Sequence, residues 1–242
     1  MPPGSPPSPP APGRHDHYFR TDDLREGVAG RAIRGGAVTI GSQASQFIIS
    51  LLATMVMARL LTPRDYGLIG MVTVVTGFLT IFKDIGLSRA VIQRAVLTHD
   101  EASSMFWING GVGVFIAFLT AAIAPVIARF YGEPRLTAIT MVLASGFLVS
   151  GFTVQHQALL RRRMQFGLLA AASVASMTVA SIVGIVMAVE HLSYWAIVGN
   201  QLAYTLCGAV LSWTFCRWRP SLPKRATRVR EMLAFGGNIT GF

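Results

Sequence analysis

The sequence predicts an all-α polytopic membrane protein built as a six-transmembrane-helix bundle. Three observations carry this. Of 242 residues, 52% are hydrophobic and only 13% are charged, about half the charge of an ordinary soluble domain. Residues 35–58, 66–82, 102–128, 136–160, 164–189 and 192–216 contain no Asp, Glu, Lys or Arg. Most of these runs reach the ~20 residues that cross a bilayer. The cations are also distributed unevenly. With the N-terminus placed in the cytoplasm, all but Arg59, Arg64, Arg129 and Arg135 of the 21 Lys and Arg fall on the cytoplasmic side, as the positive-inside rule requires.

These facts exclude several classes. A soluble enzyme with so few charges could not cover its apolar surface, and disorder needs low hydrophobicity. A β-barrel would show alternating segments of about ten residues, and none is present. The net charge of +10 would suggest nucleic acid in a soluble chain. Here it is an insertion signal, and no nucleic-acid partner is expected.

The elements follow in order. Seven of the twelve prolines lie in Met1–Pro12, which reads as an extended tail. Residues 14–34 are polar, and the His15-Asp16-His17 triplet reads as solvated tail rather than metal site. The tail and polar segment together form residues 1–34. Six helices are expected at about 37–61, 66–86, 103–129, 136–160, 167–189 and 193–216, within a lobe spanning 35–216. The second run is short, but Lys83 can snorkel from its end. Pro63, Pro134, Pro220 and Pro223 fall between helices, where a missing N–H does no harm. Trp107, Trp195, Trp213 and Trp218 lie near helix ends and read as an interfacial aromatic belt. A basic loop over 217–231 and the start of a seventh helix over 232–242 complete the chain.

Helical periodicity then assigns faces. Thr39, Gln43, Gln46, Ser50 and Thr54 share an arc on helix 1. Thr73, Thr76, Thr80 and Lys83 do so on helix 2. Ser150, Thr153, Gln157 and Arg161 do so on helix 4, and Gln201, Thr205, Gly208 and Ser212 form a weaker stripe on helix 6. Polar groups are costly against hydrocarbon, so these stripes point at protein or at a hydrated cavity. On helix 5, Ala172, Ser176, Ala180, Gly184 and Ala188 form a small-residue ridge that reads as close packing.

Catalysis finds no support. No carboxylate lies mid-membrane, and no nucleophile elbow, metal cluster or phosphate loop is visible. Gly110-Gly111-x-Gly113 sits in an apolar helix and does not follow a strand. Cys207 and Cys216 are on opposite helix faces and cannot pair. No cofactor and no metal are expected.

Several segments carry a family resemblance. Ala58–Met71 reads ARLLTPRDYGLIGM, Asp84–Arg94 DIGLSRAVIQR, Phe106–Asn109 FWIN, and Ile127–Pro134 IARFYGEP. Gln157–Arg162 reads QALLRR, Arg217–Pro220 RWRP, and Phe235–Phe242 FGGNITGF. In order and spacing these resemble the Wzx-like bacterial polysaccharide flippases, exporters of lipopolysaccharide or colanic acid within the multidrug/oligosaccharidyl-lipid/polysaccharide superfamily. The resemblance implies translocation of a lipid-linked oligosaccharide on polyprenyl pyrophosphate across the inner membrane, by alternating access between two lobes. It implies that 242 residues hold one lobe of a longer transporter, with a second lobe or glycan-assembly proteins as partners beside the membrane lipids. It implies Lys83, Arg89, Arg94 and Arg161 at the cytoplasmic cavity mouth to attract pyrophosphate, Arg59 at the outer side, and Gln43, Gln46 and Gln157 facing the substrate. A drug exporter of the same superfamily and a non-transporting membrane scaffold are the alternatives. The first would call for a cavity carboxylate.

Overall fold

The computed structural model describes residues 28–83 and 99–221. Six α-helices account for almost all of them, and no strand occurs among the described residues. They are α1 (Val28–Leu60), α2 (Pro63–Lys83), α3 (His99–Tyr131), α4 (Arg135–Arg162), α5 (Phe166–Val189) and α6 (Trp195–Phe215). Residues 33–60 of α1, and all of α3, α4 and α5, are long and apolar enough to cross a membrane. For α2 and α6 the expected spans rest on their charge-free runs. The Pro-rich tail, residues 84–98 and everything beyond Ser221 lie outside the described residues.

Local chemistry explains the turns. Thr62 precedes Pro63, which opens α2 where its absent N–H costs nothing. The Asp65 carboxylate accepts from the Thr62 backbone N–H at 2.9 Å and from the Thr62 hydroxyl at 2.6 Å. This reaches back to the cap residue in the manner of a capping box. At the other ends, α3, α4 and α5 stop in the same way. The residues Gly132, Met164 and His191 take positive φ of 66°, 54° and 57°. In each case the next N–H reaches back five residues: Glu133 to Ala128 O, Gln165 to Leu160 O, Leu192 to Met187 O, at 3.0 Å each. These are Schellman closures, and only one of the three has the glycine that this conformation favours.

Packing runs in a chain of neighbours. α1 lies on α5, α5 on α6, α6 on α4, and α4 on α3, while α2 touches α3 and α4 more lightly. α3 and α4 meet backbone to backbone: a Cβ on Gly113 would lie 2.9 Å from Gly151 Cα and from Phe147 O. The small-residue ridge of α5 is buried throughout, from Ala172 to Ala188. Burying small residues lets the helix backbones approach.

Two apolar cores sit at opposite ends of the bundle. One gathers Leu68, Val72, Ile127, Leu136, Ile139 and Val198. The other gathers Met105, Phe106, Leu159, Leu160, Cys216 and Trp218. Large apolar side chains stay outside, among them Phe47 and Leu52 on α1 and Phe115 and Phe118 on α3. This is the surface a membrane helix turns to lipid.

Trp218 corrects the aromatic-belt expectation. It is fully buried, packed edge-on to Phe106 and His156. Its indole N–H donates to His99 Nδ1 at 3.1 Å. The segment after α6 folds back over the ends of α3 and α4, where Ser221 donates to Ser103 Oγ through its N–H at 3.1 Å. Trp213 likewise stacks on His156, with centroids 4.2 Å apart. Both rings stay near a helix end, but they pack inward on His156 instead of facing outward.

Candidate functional site

Three of the four polar stripes meet. Thr39, Ser42, Gln43 and Gln46 of α1, Ser150, Thr153, Gln157 and Arg161 of α4, and Thr205, Gly208 and Ser212 of α6 line one cavity of about 800 Å³. That volume lies in the upper part of the range for ligand sites. The α5 wall is formed by Phe166, Leu169 and the small residues Ala172, Ser173 and Ser176. Tyr204 of α6 completes the lining. These positions fall in the first half of α1 and α5 and the second half of α4 and α6, so the cavity occupies one half of the bundle. The other half is filled by Met57, Leu61, Ala188 and Ala196 and the core around Val72.

The hydrogen bonds decide what the wall offers. A Ser or Thr hydroxyl has one proton and two lone pairs. Thr39 spends its proton on Gly35 O at 2.7 Å, Thr153 on Val149 O at 2.8 Å, and Ser176 on Ala172 O at 2.7 Å. Ser150 and Thr205 donate to Phe147 O and Gln201 O, each at 3.0 Å. Back-bonding of this kind is usual for Ser and Thr in helices. It leaves those hydroxyls facing the cavity as acceptors. Donors come from the amides, Arg161 and the hydroxyls of Ser173, Ser212 and Tyr204. Gln157 Nε2 gives one N–H to Ser212 Oγ at 3.4 Å, which ties α4 to α6 and leaves its other N–H. Among the lining residues there is no carboxylate, and Arg161 is the sole permanent charge.

The expected site residues therefore divide. Gln43, Gln46, Gln157 and Arg161 come together in the cavity. Arg59 is exposed at the far end of α1 and does not line it. Arg89, Arg94 and the side chain of Lys83 lie outside the described residues. The described part of the helix 2 stripe stays apart from the cavity: Thr73 and Thr76 donate to Ile69 O and Val72 O of their own helix. Ser50, Thr54 and Gln201 also fall outside the lining. Sequence reasoning passed over Tyr204, Phe166 and Ser173. Ser173 lies one helical turn from Ser176, and that pair of hydroxyls within an Ala-rich run was a usable signal.

The family model described as "Polysaccharide biosynthesis protein" matches residues 56–242. Among curated relatives, the chain is 23% identical over 198 residues to the lipopolysaccharide biosynthesis protein WzxC of Escherichia coli K12, covering 79% of this chain and 39% of that protein. It is 29% identical over 164 residues to the teichuronic acid biosynthesis protein TuaB of Bacillus subtilis 168, covering 66% and 34%. It is 21% identical over 201 residues to the succinoglycan biosynthesis transport protein ExoT of Rhizobium meliloti 1021, covering 83% and 40%. The chain thus spans between about a third and two-fifths of the length of these relatives. No solved structure matches it.

Proposed function

The chain belongs to the polysaccharide biosynthesis protein family, and from this premise we propose that it forms one lobe of a flippase for lipid-linked oligosaccharide. The protein moves the sugar headgroup of a polyprenyl pyrophosphate-linked glycan across the inner membrane for surface polysaccharide synthesis. The cavity carries the headgroup while the prenyl tail stays in lipid, and alternating access against a second lobe exposes it to each side in turn. The N-terminus is cytoplasmic, so the cavity half faces the side where the glycan is assembled. Arg161 attracts the pyrophosphate through charge-assisted hydrogen bonds, with Lys83, Arg89 and Arg94 at the same entrance and Arg59 at the outer side. Gln43, Gln46 and Gln157 meet the sugar hydroxyls. No catalytic step is proposed.

The observation that carries this reading is the convergence of the α1, α4 and α6 stripes on one polar cavity without a carboxylate in its lining. A cationic drug would lack a counter-charge there, which disfavours the drug-exporter alternative. The test is a deletion strain complemented with the full-length gene. Wild type should restore surface polysaccharide, and Lys83→Ala combined with Arg89→Ala and Arg161→Ala should abolish it at normal protein level. Normal export by the triple variant sinks the site assignment. Normal export by the deletion strain sinks the transport reading itself.

A further inference from the structure

We propose that Tyr204 is the sugar-stacking residue at the deep end of the cavity, and that the ligand lies lengthwise, its acidic group at Arg161 and an outer sugar ring on Tyr204. The inference rests on the transport reading above and adds the orientation and length class of its ligand.

The register of the helices supplies the geometry. α4 and α6 run in the same direction, since Leu136 and Ile139 near the start of α4 share a core with Val198 near the start of α6. Further along, Gln157 and Ser212 hydrogen-bond and are level. Arg161 lies one turn beyond that level, at the end of α4. Tyr204 lies about two turns short of it, near the middle of α6. At 1.5 Å per residue, Arg161 and Tyr204 are about 18 Å apart along the bundle. Both line the same cavity. A single sugar phosphate cannot reach both, whereas a short oligosaccharide phosphate can.

The chemistry changes along that length. Arg161 is the only cation in the lining and sits at one extreme. Between it and Tyr204, Thr153 and Ser176 have spent their protons on their own helices, so the wall there accepts hydrogen bonds. An anion, rich in acceptors, finds no proton on these two hydroxyls and no cation in this stretch. A polyhydroxyl chain supplies donors to them. This orders the ligand: anion at Arg161, hydroxylated rings deeper.

Tyr204 closes the series. The residue remains 40% exposed, and its ring stacks on no other ring among the described residues. One face of a pyranose presents C–H groups, and the face of an aromatic ring is electron-rich. A flat phenol ring with an exposed surface in a sugar-sized cavity matches that face. Phe166, the other aromatic in the lining, is already committed to packing: a Cβ on Gly35 would lie 2.5 Å from its Cδ2.

Ligand length is the readout that separates this role from a structural one. Detergent-purified full-length protein is titrated with glucose 1-phosphate and with maltotetraose 1-phosphate, read by Trp fluorescence. Wild type should bind the longer probe at least tenfold more tightly. Tyr204→Leu should remove that gain and leave glucose 1-phosphate binding unchanged. Tyr204→Phe should keep the gain, and Arg161→Gln should weaken both probes at least tenfold. Equal affinity of wild type for the two probes overturns the proposal, as does a Tyr204→Leu variant that retains the gain or loses both probes in parallel. The cellular export assay is separate from this titration. A protein that binds with length dependence but does not export refutes transport alone, and one that exports without length dependence refutes this inference alone.

Discussion

The Ser193 hydroxyl donates to the Asp65 carboxylate across 128 residues of chain, which ties the α5–α6 turn to the start of α2. Ser193 takes a φ of 55°, a left-handed conformation that a serine adopts at some cost. Asp65 is 5% exposed and collects the Thr62 N–H and hydroxyl as well. The motif TPRD therefore closes the end of the bundle opposite the cavity. Arg64 adds a second tie across the surface, to Glu133 at 3.2 Å, although an exposed pair contributes little.

Removing the Asp65 charge should destabilise the protein. Burial raises its carboxyl pKa, but the hydrogen bonds from Ser193 and Thr62 outweigh that and hold it below the ordinary 3.8. A depressed carboxyl contributes stability that is present above its unfolded value and is lost as pH falls through its folded value. Asp65→Asn should lower stability by about 1.5–3 kcal/mol. Thermal unfolding in detergent should show that loss unchanged between pH 5 and pH 8 and shrinking only below the ordinary carboxylate value of 3.8.

Met164 and His191 hold positive φ at helix ends where glycine is favoured. Met164→Gly should stabilise by about 1 kcal/mol, because it removes left-handed strain. Gly132→Ala, at φ 66°, should cost a similar amount, about 1 kcal/mol. Unfolding midpoints of the two variants should move in opposite directions.

The α3–α4 contact should reject any added carbon. A Cβ on Gly151 would lie 2.9 Å from Gly113 Cα and from Asn109 O. Gly151→Ala should cost about 1–3 kcal/mol by overpacking. Gly146→Ala, on the same helix with nothing within 4 Å, should be neutral or slightly stabilising by the same measurement.

Trp218 should be costly to truncate. Trp218→Ala removes a fully buried indole and should cost about 3–5 kcal/mol. Trp218→Phe keeps a ring against Phe106 and His156 but loses the bond to His99 Nδ1, and should cost about 1 kcal/mol plus some packing. Because a Trp N–H only donates, His99 Nδ1 must be the unprotonated ring nitrogen in this bond. An NMR assignment with the proton on Nδ1 refutes the pairing.

Gln43→Leu and Gln157→Leu should each reduce polysaccharide export about tenfold, corresponding to about 1.4 kcal/mol of lost interaction. Gln201→Leu, on α6 but away from the lining, should export normally. Quantified surface polysaccharide at equal protein level checks all three.

The helices were legible because the causes of a membrane helix are local. A run without charges and with enough length must satisfy its backbone within itself. The polar face of a helix was legible for the same reason, since 3.6 residues per turn place Ser150, Thr153, Gln157 and Arg161 on one side. The small-residue ridge of α5 was read correctly as packing, and its residues are buried from end to end. The sequence by itself thus determined the class of fold, the helical segments and, for helices 1, 4, 5 and 6, the face that turns toward neighbouring helices.

Which faces meet was decided by tertiary structure. The stripes of helices 2 and 4 look alike in sequence, yet α2 packs on the outside against α3 and α4, and Thr73 and Thr76 turn back to their own carbonyls. The α4 stripe faces α6, and the Gln157–Ser212 bond ties them beside the cavity. Trp218 sits as near a helix end as Trp107 does, but it is buried against His99 and Phe106 of α3 and His156 of α4, whereas Trp107 remains 41% exposed. Periodicity reports the direction of a side chain relative to its own helix axis. Only the order and register in which helices pack determine what lies in that direction.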